Sequence, residues 1–251
     1  MALFKNSRSN ILLSPLFKAR SFFYKGNTVN CPCCNGNFKK FLPAGQNENR
    51  RENAKCPDCS SLERHRLTAY LSKKLLIGRS QIRFLHIAAE QCLISFFGNM
   101  NPQLYVTGEL EGRNCTINFS IESIPFKDET FDVALCSHVL EHVLQDRLAI
   151  TEFYRVLNKN GIAFLEVPVD KSIRCTIEGS PSMSREERIR ILKQEDHQRL
   201  YGLDFSSRLT EAGFAVEEID VAREFSHEDI KKYGFDIEEI FFVCRKHKSS
   251  C

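Results

Sequence analysis

From Gln81 onward the chain alternates short apolar runs with amphipathic stretches: RFLHIA, LYVTGEL, FDVALCSH and GIAFLEVPV. Strands separated by helical segments line up in parallel with crossover helices on the faces, which predicts a doubly wound α/β sheet. Ligands of such sheets bind at the carboxyl ends of the strands. The strand-ending residues are therefore the candidate site: His86 to Glu90 after the first strand, Gly108 and Glu109 after the second, Asn118 to Ile121 near the third, and Cys136 to His138 after the fourth. Glu109 ends the second strand about 20 residues past the first turn, where a carboxylate can accept from both hydroxyls of a ribose. The plainer reading of Glu109 is a solvated strand end.

Ahead of this region, Cys31-Pro-Cys-Cys34 and Cys56-Pro-Asp-Cys59 set out two Cys-x-x-Cys pairs. The spacing matches a four-cysteine zinc ribbon, in which Cys31, Cys34, Cys56 and Cys59 each offer a thiolate and the ion closes a tetrahedron. Disulfides or redox thiols are the alternative, and Cys33 is a rival ligand expected to point away. With all four places taken by cysteine, such a metal is structural, and its removal is expected to disorder residues 28 to 60 while cofactor affinity changes little. Gly36 is expected to supply the turn after the first pair, and Ser60-x-x-Glu63 reads as a capping box opening a helix through Leu67, Tyr70, Leu71 and Leu75. Arg64, His65 and Arg66 fall on its first turns, either on a solvated face or reaching a site between the modules.

Composition sets outer bounds. With 251 residues, 42% of them hydrophobic and 27% charged, the chain suffices for one α/β core plus a small appendage. No run approaches the roughly 18 apolar residues of a membrane span. The net charge of +3 does not by itself imply nucleic acid, and the cysteine region lacks the interleaved aromatics on which single strands stack. Single cysteines inside apolar runs fit a reducing cytoplasm. No acidic residue precedes Glu48. The cationic segment NILLSPLFKARSFFYKG could lie on the inner face of an anionic membrane or pack on the protein's own body.

The run SIESIPFKDETFDVALCSHVLEHV, followed by EFYRVLNKNGIAFLEVPV, resembles class I S-adenosylmethionine-dependent methyltransferases of the small-molecule group. The resemblance covers roughly residues 82 to 245 and is specific over 118 to 168. The cysteine pairs followed by SLERHR resemble a narrower subgroup that carries an N-terminal zinc ribbon. This implies a Rossmann-like sheet and S-adenosylmethionine as cofactor, held by His86, Ala88, Glu90, Glu109, Leu110, Ser120, Ile121, Ser137 and His138. Two departures stand out. The first turn has no glycine, only Ala88 and Ala89 with Glu90 to hold the cofactor's ammonium, and Ser120 replaces an aspartate that accepts from the adenine amine.

Methyl transfer from a sulfonium depends mainly on alignment, with a base required when the acceptor must lose a proton. Histidine suits that base. His138 and His197 are the candidates, while His142, read as one helical turn after His138, is taken to brace the loop. The insertion from about 170 to 203 holds His197, Arg199 and Tyr201, with Asp196 expected to orient His197; long insertions beyond strand ends commonly make lids and pockets. Arg64, His65, Arg199 and Tyr201 are the expected substrate contacts. Divided by composition, residues 1–30 form a basic amphipathic segment, 31–60 the ribbon, 61–80 a connecting helix and 81–251 the transferase domain. The function expected is O-methylation of a sugar, glycan intermediate or other small polar acceptor. A binding module on an inactive scaffold is the rival.

Overall fold

A computed structural model describes residues 20–47, 50–112 and 115–247. Four short strands precede the main sheet: β1 (Lys25–Cys31) pairs with β2 (Gly36–Phe38), and β3 (Leu42–Ala44) with β4 (Arg51–Lys55), both antiparallel. Most of the amphipathic N-terminal segment, residues 1–19, lies outside the described residues, and its end is strand β1. No helix among the described residues is long and apolar enough to cross a membrane.

The sheet is built from β5 (Arg83–Ile87), β6 (Leu104–Glu109), β7 (Ile117–Asn118), β8 (Phe131–Ser137), β9 (Leu157–Glu166), β12 (Ala215–Asp220) and β13 (Ile240–Arg245). Its order is β12-β13-β9-β8-β5-β6-β7. The strands from β9 to β7 are parallel, and β13 runs antiparallel to both neighbours. Outside this sheet, β10 (Ile177–Glu178) pairs antiparallel with β11 (Arg199–Leu200). The chain leaves β5 for β6 and β7, then returns to the other side of β5 with β8. Order reverses there, so the crevice for a ligand opens at the tips of β5, β6 and β8.

Both faces are covered, which is why β8 and β9 read as almost unbroken apolar runs. On one face Leu85, Ala134 and Leu165 pack against Ile150 and Phe153 of the Asp146–Val156 helix. On the other, Phe84, Leu135 and Phe164 share a core with Val29, Phe38, Phe41, Leu67 and Leu71. The cysteine module and the Glu63–Leu75 helix that follows it are thus a covering layer of the sheet rather than an appendage. That shared core couples the module to the sheet.

Two local expectations are corrected. The left-handed turn after the first knuckle falls on Asn35 (φ 57°), and Gly36 is needed for space, since a Cβ there would sit 2.6 Å from the Phe38 ring. The helix begins at Glu63 with Leu62 as N-cap; the Leu62 amide donates to His65 Nδ1 at 3.1 Å, so His65 supplies half of a capping box and Ser60, at φ 60°, lies outside it.

Arg66 is neither solvated nor at a cleft. Fully buried, it donates from Nε to the Tyr233 carbonyl (2.7 Å), from Nη1 to those of Ala54 (2.8 Å) and Ser61 (2.9 Å), and from Nη2 to that of Gly234 (2.5 Å), with its guanidinium 4.0 Å from the Phe41 ring centre. Gly234 has φ +61°, and a Cβ there would meet Arg66 and Phe41 at 2.7 Å. Replacing Arg66 with Met strands four buried carbonyls and is expected to cost about 3 kcal/mol or more, read as a lowered urea midpoint.

Candidate functional site

The four sulfurs of Cys31, Cys34, Cys56 and Cys59 lie within 4.8 Å of one another. Cys31 is 3.6 Å from Cys59, and Cys34 is 3.8 Å from Cys56. Cys33 points elsewhere, its thiol donating to the His65 carbonyl at 3.2 Å. The knuckles therefore touch the helix that reaches the strand tips.

At the tip of β5, Ala88 has φ 48° and its amide donates to the Gly108 carbonyl at 2.8 Å. An alanine in the left-handed region costs roughly 1–2 kcal/mol, so this turn keeps the shape a glycine would adopt without the glycine. Glu90 is the N-cap of the Gln91–Gly98 helix. Its Oε1 accepts from His65 Nε2 at 3.0 Å, because the Leu62 amide occupies Nδ1 and leaves the ring proton on Nε2. Its Oε2 is buried without a hydrogen bond, 3.8 Å from His86 Nε2. Burial works to raise the Glu90 carboxyl, but the bond from His65 and the nearness of His86 outweigh it and hold the group below the usual carboxylate range.

The sequence-predicted residues divide. His86 is fully buried, with Nδ1 2.7 Å from the Tyr105 hydroxyl and its ring beside Phe84 and Phe97. Burial lowers its pKa and keeps it neutral. Because strand side chains alternate, His86 faces the core, and the reading of its side chain as a cofactor contact is corrected. Glu109 ends β6 half-buried, and Leu110 beyond it is 69% exposed. Ser120 is engaged locally, its hydroxyl accepting from the Glu122 amide and donating to the Glu122 carboxylate, each at 3.2 Å. Ile121 is buried in the core. Ser137 is buried at the end of β8 and donates to Glu166 Oε2 at 2.9 Å.

His138 follows with φ 55° and its amide bonded to the Glu166 carbonyl at 2.9 Å. Its Nδ1 lies 3.5 Å from Glu141 Oε1, and its Nε2 is buried without a partner. Residues 139–144 form turns rather than the helical turn expected to carry His142. Arg64 is half-buried and near enough for its charge to bear on His138 and Glu239.

Arg199 and Tyr201 are not pocket residues. Arg199, 3% exposed, donates to the carbonyls of Leu140 (2.9 Å), Val143 (2.6 Å) and Leu144 (2.9 Å) and to Glu178 (3.0 Å), while buried Tyr201 donates to Asp146 at 2.8 Å. Their polar groups are committed to holding the loop after β8, so the substrate-contact reading is corrected. His197 is also buried. Its Nδ1 lies 2.9 Å from the Leu192 carbonyl, and Asp196 pairs with His142 at 3.2 Å instead of orienting His197.

One residue escaped the sequence reading. Glu166, the last residue of β9, accepts from Ser137 and lies 2.8 Å from the Thr68 hydroxyl. Thr68 also lies 2.9 Å from the Arg64 carbonyl. A hydroxyl has one proton, so a protonated Glu166 donating to Thr68 satisfies both contacts. Consistent with this, burial pushes Glu166 up to about 7. The available signal was a carboxylate closing the apolar run GIAFLEVPV. Because the folded state holds this proton more tightly than the unfolded chain, its contribution is present at low pH and lost as pH rises from about 4.5 to 7. Stability should fall by about 3 kcal/mol across that window, and Glu166→Gln should flatten the trend in urea titrations at a series of pH values.

Residues 84–165 match a family model described as a methyltransferase domain. Among solved structures the chain is similar to the YcgJ protein of Bacillus subtilis, at 16% identity, covering 72% of this chain and 98% of that one with a TM-score of 0.47. It is also similar to an S-adenosylmethionine-dependent methyltransferase of Mesorhizobium loti, at 12% identity, covering 70% and 96% with a TM-score of 0.48. A search of curated proteins found no match.

Proposed function

We propose that this protein, whose residues 84–165 match a family model described as a methyltransferase domain, moves the methyl group of S-adenosylmethionine to an oxygen of a small polar acceptor, a sugar or glycan intermediate being the class we favour. The observation that carries the proposal is the group of polar residues at the parallel strand tips, where the sheet order reverses. Bound there, the cofactor supplies an electrophilic methyl on a sulfonium.

The residues fit such a group. Glu109, half-buried at the tip of β6, suits the two ribose hydroxyls. Glu90 Oε2 is a buried acceptor lacking a hydrogen bond, on a carboxylate held in its charged form, and so suits an ammonium. With Ser120 bonded to Glu122, adenine would rest on Ile121 and the backbone beside it. His138 offers an unpartnered Nε2 at the tip of β8, and we assign it the proton abstraction from the acceptor hydroxyl. Calorimetry with S-adenosylmethionine should show affinity reduced by Glu109→Ala and largely retained by His138→Gln, whereas the latter should lower kcat by about 100-fold or more once an acceptor is in hand. Loss of cofactor heat in neither the wild type nor Glu109→Ala would be expected if the crevice were only a scaffold, since neither would give any.

We further propose that the four cysteines hold structural zinc. Sulfurs at the corners of a tetrahedron with bonds of about 2.3 Å are separated by about 3.8 Å, and the two measured pairs lie at 3.6 and 3.8 Å. The ion would fix the module that positions His65 against Glu90. Chelation should therefore weaken cofactor binding by about tenfold or more, as well as loosening the cysteine module, when calorimetry and circular dichroism are run on the same sample.

A further inference from the structure

Below His138, on the loop after β8 and the insertion facing it, lies a cluster that methyl transfer does not use. Glu141, His142 and His197 each present a ligand atom, and these atoms lie within 4.8 Å of one another. Glu141 is 1% exposed, and its Oε2 is buried without a hydrogen bond. His197 is 3% exposed and its Nε2 is likewise buried and unpartnered. A buried carboxylate oxygen and a buried imidazole nitrogen left open side by side are costly unless something answers them.

The surrounding contacts are those of a ligand set. His197 Nδ1 lies 2.9 Å from the Leu192 carbonyl, which accepts its proton and leaves the lone pair on Nε2, inside the cluster. His142 Nδ1 lies 3.2 Å from Asp196 Oδ2, which fixes that ring in the same way and leaves Nε2 4.0 Å from Glu141 Oε1. The two rings stand edge to face with centres 4.8 Å apart. A second hydrogen bond that sets the tautomer of each imidazole is characteristic of metal-binding histidines. The frame is stiff, because Arg199 binds the carbonyls of Leu140, Val143 and Leu144 and the Gln198 amide donates to the Glu141 carbonyl at 2.7 Å.

We propose that Glu141, His142 and His197 form a second metal site, taking a divalent transition-metal ion. Two imidazoles and one carboxylate leave coordination positions open, the ligand set of reactive rather than structural ions. Glu141 Oε1 is also 3.5 Å from His138 Nδ1, so the ion would stand one residue away from the base assigned above. An acceptor hydroxyl bound in an open position would be oriented and made more acidic beside His138. That role rests on the methyl-transfer reading, whereas binding of the ion does not.

The test is a cobalt(II) titration of the full chain with zinc on its cysteines, followed by visible spectroscopy. One further equivalent should bind with ligand-field bands and no thiolate-to-cobalt charge transfer. His142→Gln and His197→Gln should weaken it by more than about 100-fold, and Asp196→Asn, which keeps an acceptor for His142 and removes only its charge, by about tenfold. His142 and Asp196 are partly exposed, so their variants decide the matter even if His197→Gln fails to fold. No ligand-field band up to millimolar cobalt, charge-transfer bands alone, or unchanged affinity in His142→Gln and Asp196→Asn would each overturn the site. Calorimetry with S-adenosylmethionine on the same samples separates the two proposals: cofactor binding without cobalt binding sinks the metal site alone, and cobalt binding without cofactor binding sinks methyl transfer alone.

Discussion

Arg66 carries a charge into a place with no carboxylate partner, and four backbone carbonyls answer it. Two belong to the cysteine module and its exit, at Ala54 and Ser61, and two to the end of the His227–Tyr233 helix, at Tyr233 and Gly234. A guanidinium has donors fanned in one plane, so it can tie segments far apart in sequence where a lysine would satisfy fewer of them. The Glu63–Leu75 helix, which carries Arg66, presents His65 to Glu90 and Thr68 to Glu166. Arg66 thus sets the position from which the covering layer touches the strand tips.

The two strand tips flanking the order reversal share a feature. Ala88 after β5 and His138 after β8 both have positive φ, at 48° and 55°. Side chains there cost energy that surrounding contacts must offset, and the Gly108 and Glu166 carbonyls hold the two amides in place. Buried Glu166, whose carbonyl holds the His138 amide, belongs to the same pattern: burial pushes its carboxyl up to about 7.

The sheet was legible because burial on both faces writes itself into the chain as long apolar runs. The four cysteines were legible by spacing, and their sulfurs do converge. The roles of charged residues were not. Arg199 and Tyr201 looked like pocket residues because polar side chains on an insertion are normally solvated, yet they close over the carbonyls of another loop. His86 looked like a tip residue by position, but a strand turns its side chains to one face of the sheet or the other, and both faces here are covered, so His86 is buried beside Phe84.

Sequence by itself determined the order of elements, the parallel sheet and the spacing of the cysteine pairs, since these follow from local periodicity and short-range chain geometry. Tertiary structure alone decided that the cysteine module is a layer of the sheet, that His65 reaches Glu90, and that Glu141, His142 and His197 meet. His65 and Glu90 are 25 positions apart and Glu141 and His197 are 56 apart, and whether a side chain faces water, a carbonyl or another ring at such separations depends on how the layers pack.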